Sequence, residues 1–133
     1  MIENIKEINL AVVGLGYVGL PLAVAFGEKM DVVGYDINQE RISRLKDGRD
    51  DTLELTKTEI ATAKGLRFSS EEDSLSEANV FIVTVPTPID QYNRPDLTHL
   101  IKSSEMIGRF LNLSFNTFKF VFRNFIFFLK FFC

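Results

Sequence analysis

Three glycines in Gly14-Leu15-Gly16-Tyr17-Val18-Gly19 constrain this chain more than any other feature, because their spacing leaves few ways to fold the residues on either side. The motif follows a continuous apolar run, Leu10 to Val13, of the kind that forms a strand buried on both faces of a parallel sheet. The first glycine permits a tight strand-to-helix turn. The second lets backbone approach a pyrophosphate with no Cβ in the way, and the third lets the helix pack closely on the strand. A helix opening at this point presents unpaired N–H groups and partial positive charge to a phosphate.

Alone the motif is weak, and its surroundings strengthen it. A second β-branched run, Asp31 to Tyr35, ends in Asp36, 22 residues after Gly14, where a dinucleotide site needs an acid roughly 20 residues on. A carboxylate there accepts hydrogen bonds from the adenosine ribose and repels a 2′-phosphate, so the expected cofactor is NAD rather than NADP. Arg41 reads as lining the same site. Alternatives stay open at each position: a tight turn without a ligand for the glycines, a helix N-cap or solvated turn for Asp36, and an exposed helix arginine for Arg41.

Helices are expected at Tyr17–Glu28, with Pro21 in the first turn where a missing N–H is tolerated, and at Gln39–Lys46, stopped near Gly48. Residues 49–64 are polar, with a further helix from Lys57, and Leu66–Phe68 reads as a short strand. Val80 to Val85 is the clearest later strand, ended by Pro86 and Pro88. Asp96 can cap a helix from Leu97 to Leu111, whose apolar stripe reads Leu97, Leu100, Ile101, Ser104, Ile107 and Leu111. Strands alternating with helices point to α/β architecture, a Rossmann-like parallel sheet with helices on both faces, incomplete at its C-terminal side. Ligands in such sheets bind beyond the carboxyl ends of the strands. The turn Val85-Pro86-Thr87 therefore reads as a rigid wall beside the cofactor, or else as an edge turn with no contact.

Composition narrows the function classes. With 46% hydrophobic and 25% charged residues the balance is that of an ordinary globular domain. The net charge is −3 and no Lys/Arg block occurs in the first hundred residues, so no nucleic-acid partner is expected. One cysteine, Cys133, cannot form an internal disulfide or a CxxC metal site, and the first ten residues lack a signal-peptide pattern, so a cytoplasmic location is expected. No Ser/His/Asp order, paired-acid site or P-loop lysine is visible. His99 has no ligand neighbours and reads as a surface histidine, and Glu71-Glu72-Asp73 as a solvated helix start. Neither a catalytic residue nor a metal ligand is expected.

The glycine loop with its continuation Leu20-Pro21-Leu22-Ala23 resembles the cofactor loop of the UDP-glucose/GDP-mannose dehydrogenase family. Val33-Gly34-Tyr35-Asp36-Ile37-Asn38, Arg41-Ile42, Thr84-Val85-Pro86-Thr87-Pro88 and Pro95-Asp96-Leu97 are similar to that family too, in the same order. The Gly-Leu-Pro-Leu-Ala and Pro-Thr-Pro-Ile-Asp wording is closest to the branch acting on UDP-N-acetylhexosamines. The resemblance implies NAD-dependent oxidation of a sugar-nucleotide C6 alcohol to a carboxylate, through two hydride transfers and a cysteine-held thioester. It assigns NAD contacts to Gly14, Leu15, Gly16, Tyr17, Val18, Gly19, Asp36, Arg41, Val85, Pro86 and Thr87. Family members are much longer, can assemble as oligomers, and take the catalytic cysteine and the UDP-sugar site from parts with no counterpart here; Cys133 stands in no matching context. The expectation is an NAD-binding domain over residues 1–111, inactive without those parts. The alternative is a non-enzymatic NAD-binding module or a subunit completed by another chain. A hydroxyacyl- or hydroxy-acid-type dehydrogenase is disfavoured by the double-proline turn.

The remaining residues, 112–133, differ in kind. Ten of the thirteen phenylalanines lie between Phe110 and Phe132, and no acid follows Glu105. A membrane anchor is not expected, because Lys119, Arg123 and Lys130 interrupt a stretch that would need about 20 mostly apolar residues. A native strand at Phe118–Arg123 would be an aggregation site without sheet partners. The favoured reading is a frameshift in an AT-rich gene, since the composition breaks where the resemblance ends.

Overall fold

The structure, a computed structural model, describes residues 8–111. The tail readings for 112–133 and Cys133, and the reading of the first seven residues, lie outside the described residues. Four parallel strands form one sheet: β1 (Leu10–Val13), β2 (Val32–Tyr35), β3 (Leu66–Ser69) and β4 (Val80–Val83), in the order β3-β2-β1-β4. Leu10 pairs with both Val32 and Val80, and Val13 with both Tyr35 and Val83, so β2, β1 and β4 end level with one another. Four helical elements connect them, α1 (Gly19–Gly27), α2 (Gln39–Lys46), α3 (Lys57–Thr62) and a 3-10 turn (Glu72–Leu75), and α4 (Thr98–Leu111) follows β4.

Strand side chains alternate between faces, so each strand feeds two cores. Leu10 and Val12 join Val32, Leu20, Val24, Ile42, Leu45 and Ile60 on the face covered by α1, α2 and α3. Ala11 and Val13 join Val33, Tyr35, Phe81, Leu75, Met106 and Ile107 on the other. Burial of β1 on both sides is why it reads as an unbroken apolar run.

Local chemistry sets the element ends. Asn38 caps α2 by accepting from Arg41 N–H at 3.1 Å, which removes the N-cap alternative for Asp36. Thr56 and Glu59 form a capping box on α3. Gly48, at φ +74°, ends α2 in the left-handed region that favours glycine. By contrast α1 has no side-chain cap and no acid in its first turn.

Several expectations move. Helix α1 spans Gly19–Gly27, not 17–28, and β4 stops at Val83, two residues short: the ladder ends with Thr84 N–H on Val13 O at 2.8 Å, and the Thr84 hydroxyl turns to Gly14 O. The acidic run at 71–73 forms a 3-10 turn. The buried stripe of α4 is Ser103, Met106 and Ile107, with Phe110 half-buried; Leu97 and Ile101 are exposed and so is Ser104. The helix carries two neighbouring apolar strips, and its docking over β4 and the 3-10 turn selects the one that helical periodicity alone did not favour.

Candidate cofactor site

An open cleft of about 870 Å³ lies beyond the carboxyl ends of β1, β2 and β4. Residues Gly14 to Val18 form its floor. Asp36, Ile37 and Arg41 line it from the β2–α2 side, and Val85, Pro86 and Thr87 from the turn after β4. The position follows from the topology: the chain leaving β1 runs to β2 on one side, while the chain leaving β3 crosses back over the sheet to set β4 on the other side of β1, so the connections diverge at this point.

The glycine loop is held from three directions. Asp36 Oδ2 accepts the Leu15 N–H at 2.8 Å, while Oδ1 accepts from Asn38 N–H at 2.9 Å. Arg41 donates to the Leu15 carbonyl from Nε at 3.0 Å and Nη2 at 2.7 Å. Thr84 Oγ1 donates to the Gly14 carbonyl at 2.6 Å. Both polar groups of Leu15 are therefore tied down, and the peptide that follows it is set in place before any ligand arrives.

The glycines divide by role. Gly14 sits at φ +92°, a conformation only glycine takes without strain. A Cβ on Gly16 would meet nothing within 4 Å, so this backbone faces open space in the cleft. A Cβ on Gly19 would lie 1.8 Å from Gly14 O and 2.4 Å from Thr84 Oγ1. Gly19 is buried and is not among the residues lining the cleft, and the collisions its Cβ would make with Gly14 and Thr84 are those of close helix–strand packing.

Arg41 is not an exposed helix arginine: its side chain is only 11% exposed. Its Nη2 also pairs with Asp50 Oδ1 at 2.8 Å. Arg41 Nη1 is buried and without a hydrogen-bond partner among the described residues, standing 4.0 Å from Asp51 Oδ2. A buried N–H left unpaired costs free energy unless a ligand or water supplies the acceptor. Burial pushes the Asp50 carboxyl up, but hydrogen bonds from Thr52, Arg41 and the Leu55 N–H outweigh it and hold the group below the ordinary aspartate range. The Tyr35 phenol, at the edge of the cleft, is pushed up by burial and by Glu72 and Asp36, so it stays neutral.

The α4 wall was not foreseen. Lys102, Ser103, Met106 and Arg109 line the cleft, with His99 on its exposed rim, and Arg109 pairs with Glu72 at 2.6 Å. A stripe one position off the expected one, sharing Ile107 with it, carried that information. Asp50 was missed as well, since one acid among Asp47, Asp50 and Asp51 has no distinguishing signal in sequence. Among the described residues no three His, Cys, Asp or Glu side chains converge as a metal would require. Nor is any described helix long and apolar enough to cross a membrane.

The arrangement suits a dinucleotide: open glycine backbone at an uncapped helix start, with a carboxylate at the neighbouring strand end. Residues 8–117 match the profile of the UDP-glucose/GDP-mannose dehydrogenase family, NAD binding domain. The chain belongs to that family. Within it, the chain is 54% identical over 109 residues to the UDP-N-acetyl-D-glucosamine 6-dehydrogenase of Salmonella typhi, covering 82% of this chain and 26% of the relative. It is 58% identical over 106 residues to the enzyme of that name from Pseudomonas aeruginosa, covering 80% and 25%. The native structure of the UDP-N-acetyl-mannosamine dehydrogenase Cap5O from Staphylococcus aureus superposes with a TM-score of 0.62 at 36% identity, covering 77% of this chain and 26% of that one. The chain thus spans about a quarter of the length of the curated relatives it matches. What it contains is the family's NAD-binding domain.

Proposed function

We propose that this chain is the NAD-binding part of a UDP-N-acetylhexosamine 6-dehydrogenase, and that NAD lies across the cleft described above. Gly14, Leu15 and Gly16, with Tyr17 and Val18 leading into α1, receive the pyrophosphate. Asp36 accepts the adenosine ribose hydroxyls. Arg41 fixes the loop through the Leu15 carbonyl, and Val85, Pro86 and Thr87 form the rigid wall. NAD supplies the hydride acceptor for oxidation of a sugar-nucleotide alcohol. The chain's own residues bind and orient it. Recognition of the UDP-sugar and the covalent steps are assigned to the three quarters of the relatives' length that this chain does not span.

The observation that carries the reading is the pair formed by Gly16 and Asp36: backbone with no atom within 4 Å of a Cβ position, tied through Leu15 to the strand-end carboxylate. The identities of 54% and 58% with UDP-N-acetyl-D-glucosamine 6-dehydrogenases support the substrate branch. Titration of the purified chain with NADH, followed by nucleotide fluorescence, is expected to saturate at one nucleotide per chain. With UDP-N-acetylglucosamine and NAD the chain alone is expected to form no NADH. Absence of NADH binding by folded chain overturns the cofactor assignment, and NADH formation overturns the division of labour.

A further inference from the structure

We infer that Asp50 is a positioning residue for the cofactor loop, acting through Arg41 on the Leu15 carbonyl; this rests on the NAD reading above and extends it to a residue outside the cleft. Asp50 lies in the loop after α2 and is absent from the cleft lining, and its carboxylate is fully buried. It accepts from the N–H groups of Thr52 at 3.0 Å, Glu54 at 3.0 Å and Leu55 at 3.1 Å, and from Thr52 Oγ1 at 2.7 Å. The fifth donor is Arg41 Nη2 at 2.8 Å.

Closing the loop needs an acceptor but not a charge, since asparagine or serine can receive backbone N–H groups. A buried carboxylate is costly unless a cation pairs with it, so the charge has its purpose in the pairing with Arg41. Arg41 Nη2 is shared between Asp50 Oδ1 and Leu15 O, and Nε adds a second bond to Leu15 O. The guanidinium is planar and rigid, so fixing one edge fixes the other. Asp50 therefore sets where the Arg41 fork stands, and the fork sets the Leu15–Gly16 peptide, 26 residues upstream in sequence, at the point where the loop opens to the cleft. Removing the Asp50 charge lets the guanidinium swing toward Asp51, whose Oδ2 is already 4.0 Å from Nη1.

The test is a double-mutant cycle on the full chain, reading the NAD dissociation constant by calorimetry alongside the melting temperature. Asp50→Asn is expected to raise the NAD Kd about tenfold in the wild-type background and to change it less than twofold in an Arg41→Met background. The melting temperature should fall in the wild-type background and fall less, or rise, over Arg41→Met, where asparagine weakens the loop bonds but also removes a buried carboxylate that has lost its cation. A Kd rise of equal size in the two backgrounds, or none in the wild type, overturns the proposal. Thr52→Val disturbs the same loop but leaves the Asp50–Arg41 pair, so it should lower the melting temperature with an unchanged Kd. A raised Kd there shows that loop integrity alone matters, even where Asp50→Asn does not fold. Amide exchange at Leu15 and Gly16 without nucleotide separates this idea from the NAD reading. Faster exchange in Asp50→Asn but no further change over Arg41→Met supports the link even if the wild type binds no NAD, and unchanged exchange overturns it.

Discussion

Replacing Gly19 by alanine should cripple the fold, whereas the same change at Gly16 should cripple only ligand binding. The Gly19 Cβ would stand 1.8 Å from the Gly14 carbonyl oxygen, 2.4 Å from Thr84 Oγ1 and 2.9 Å from Gly14 C, where real Cβ contacts begin near 3.0 Å. Two of those atoms are backbone at the end of β1, so α1 must move outward as a unit. Overpacking of a buried site costs about 1–3 kcal/mol. Losing the part-buried bond from Thr84 Oγ1 to Gly14 O adds about 1 kcal/mol. A total of about 2–4 kcal/mol at roughly 4–8 °C per kcal/mol for a domain this size lowers Tm by about 8–32 °C. At Gly16 the new methyl meets no protein atom and φ is not positive, so stability should stay within about 0.5 kcal/mol of wild type. The methyl occupies the approach of the pyrophosphate, and the NAD Kd should rise at least about tenfold, or about 1.4 kcal/mol. Thermal melts by circular dichroism, paired with calorimetric NAD titration, read both effects. A Gly16→Ala Tm as depressed as that of Gly19→Ala, or a wild-type Tm for Gly19→Ala, refutes the division of roles.

Two further outcomes follow from the same geometry. Asp36→Asn keeps an acceptor for Leu15 N–H but loses the charge, so the preference for NAD over NADP should fall by about tenfold in competition binding, and an unchanged ratio would remove Asp36 from the ribose site. Asp50 has a folded-state pKa below its unfolded value of about 3.9, so its stabilisation is complete above that pH and is lost as pH falls toward the folded value. Urea unfolding from pH 6 down to 3 should show a loss of stability below about pH 4 that is smaller in Asp50→Asn, and equal acid sensitivity in both proteins would contradict the assignment.

The sheet was legible because its signals are local. An apolar run ending in glycine, a second ending in an acid, and Val80-Phe81-Ile82-Val83 before a double proline each carry strand and terminus together. Helix α2 ran as expected from Gln39 to Lys46 because Asn38 and Gly48 bracket it chemically. What stayed hidden depends on tertiary contact. Which strip of α4 meets the sheet is decided by β4 and the 3-10 turn, and so the Lys102, Met106 and Arg109 wall of the cleft went with it. Gly19 fits the glycine rule, yet its collision partners, Gly14 O and Thr84 Oγ1, come from the strand end and from a residue 65 positions away. Arg41 and Asp50 form a buried pair that no spacing announces, because the loop between them closes on itself through Thr52, Glu54 and Leu55.

The most direct test of the NAD site is to titrate isotope-labelled chain with NAD and follow the backbone amide resonances. The account predicts saturable shifts concentrated at Leu15 to Val18, Ile37 and the Val85–Thr87 turn, flanking the cleft floor, with β3 and α3 silent. NADP should produce the same pattern only at much higher concentration. Shifts absent at saturating NAD, or clustered away from the glycine loop while the spectrum stays that of a folded protein, would contradict it.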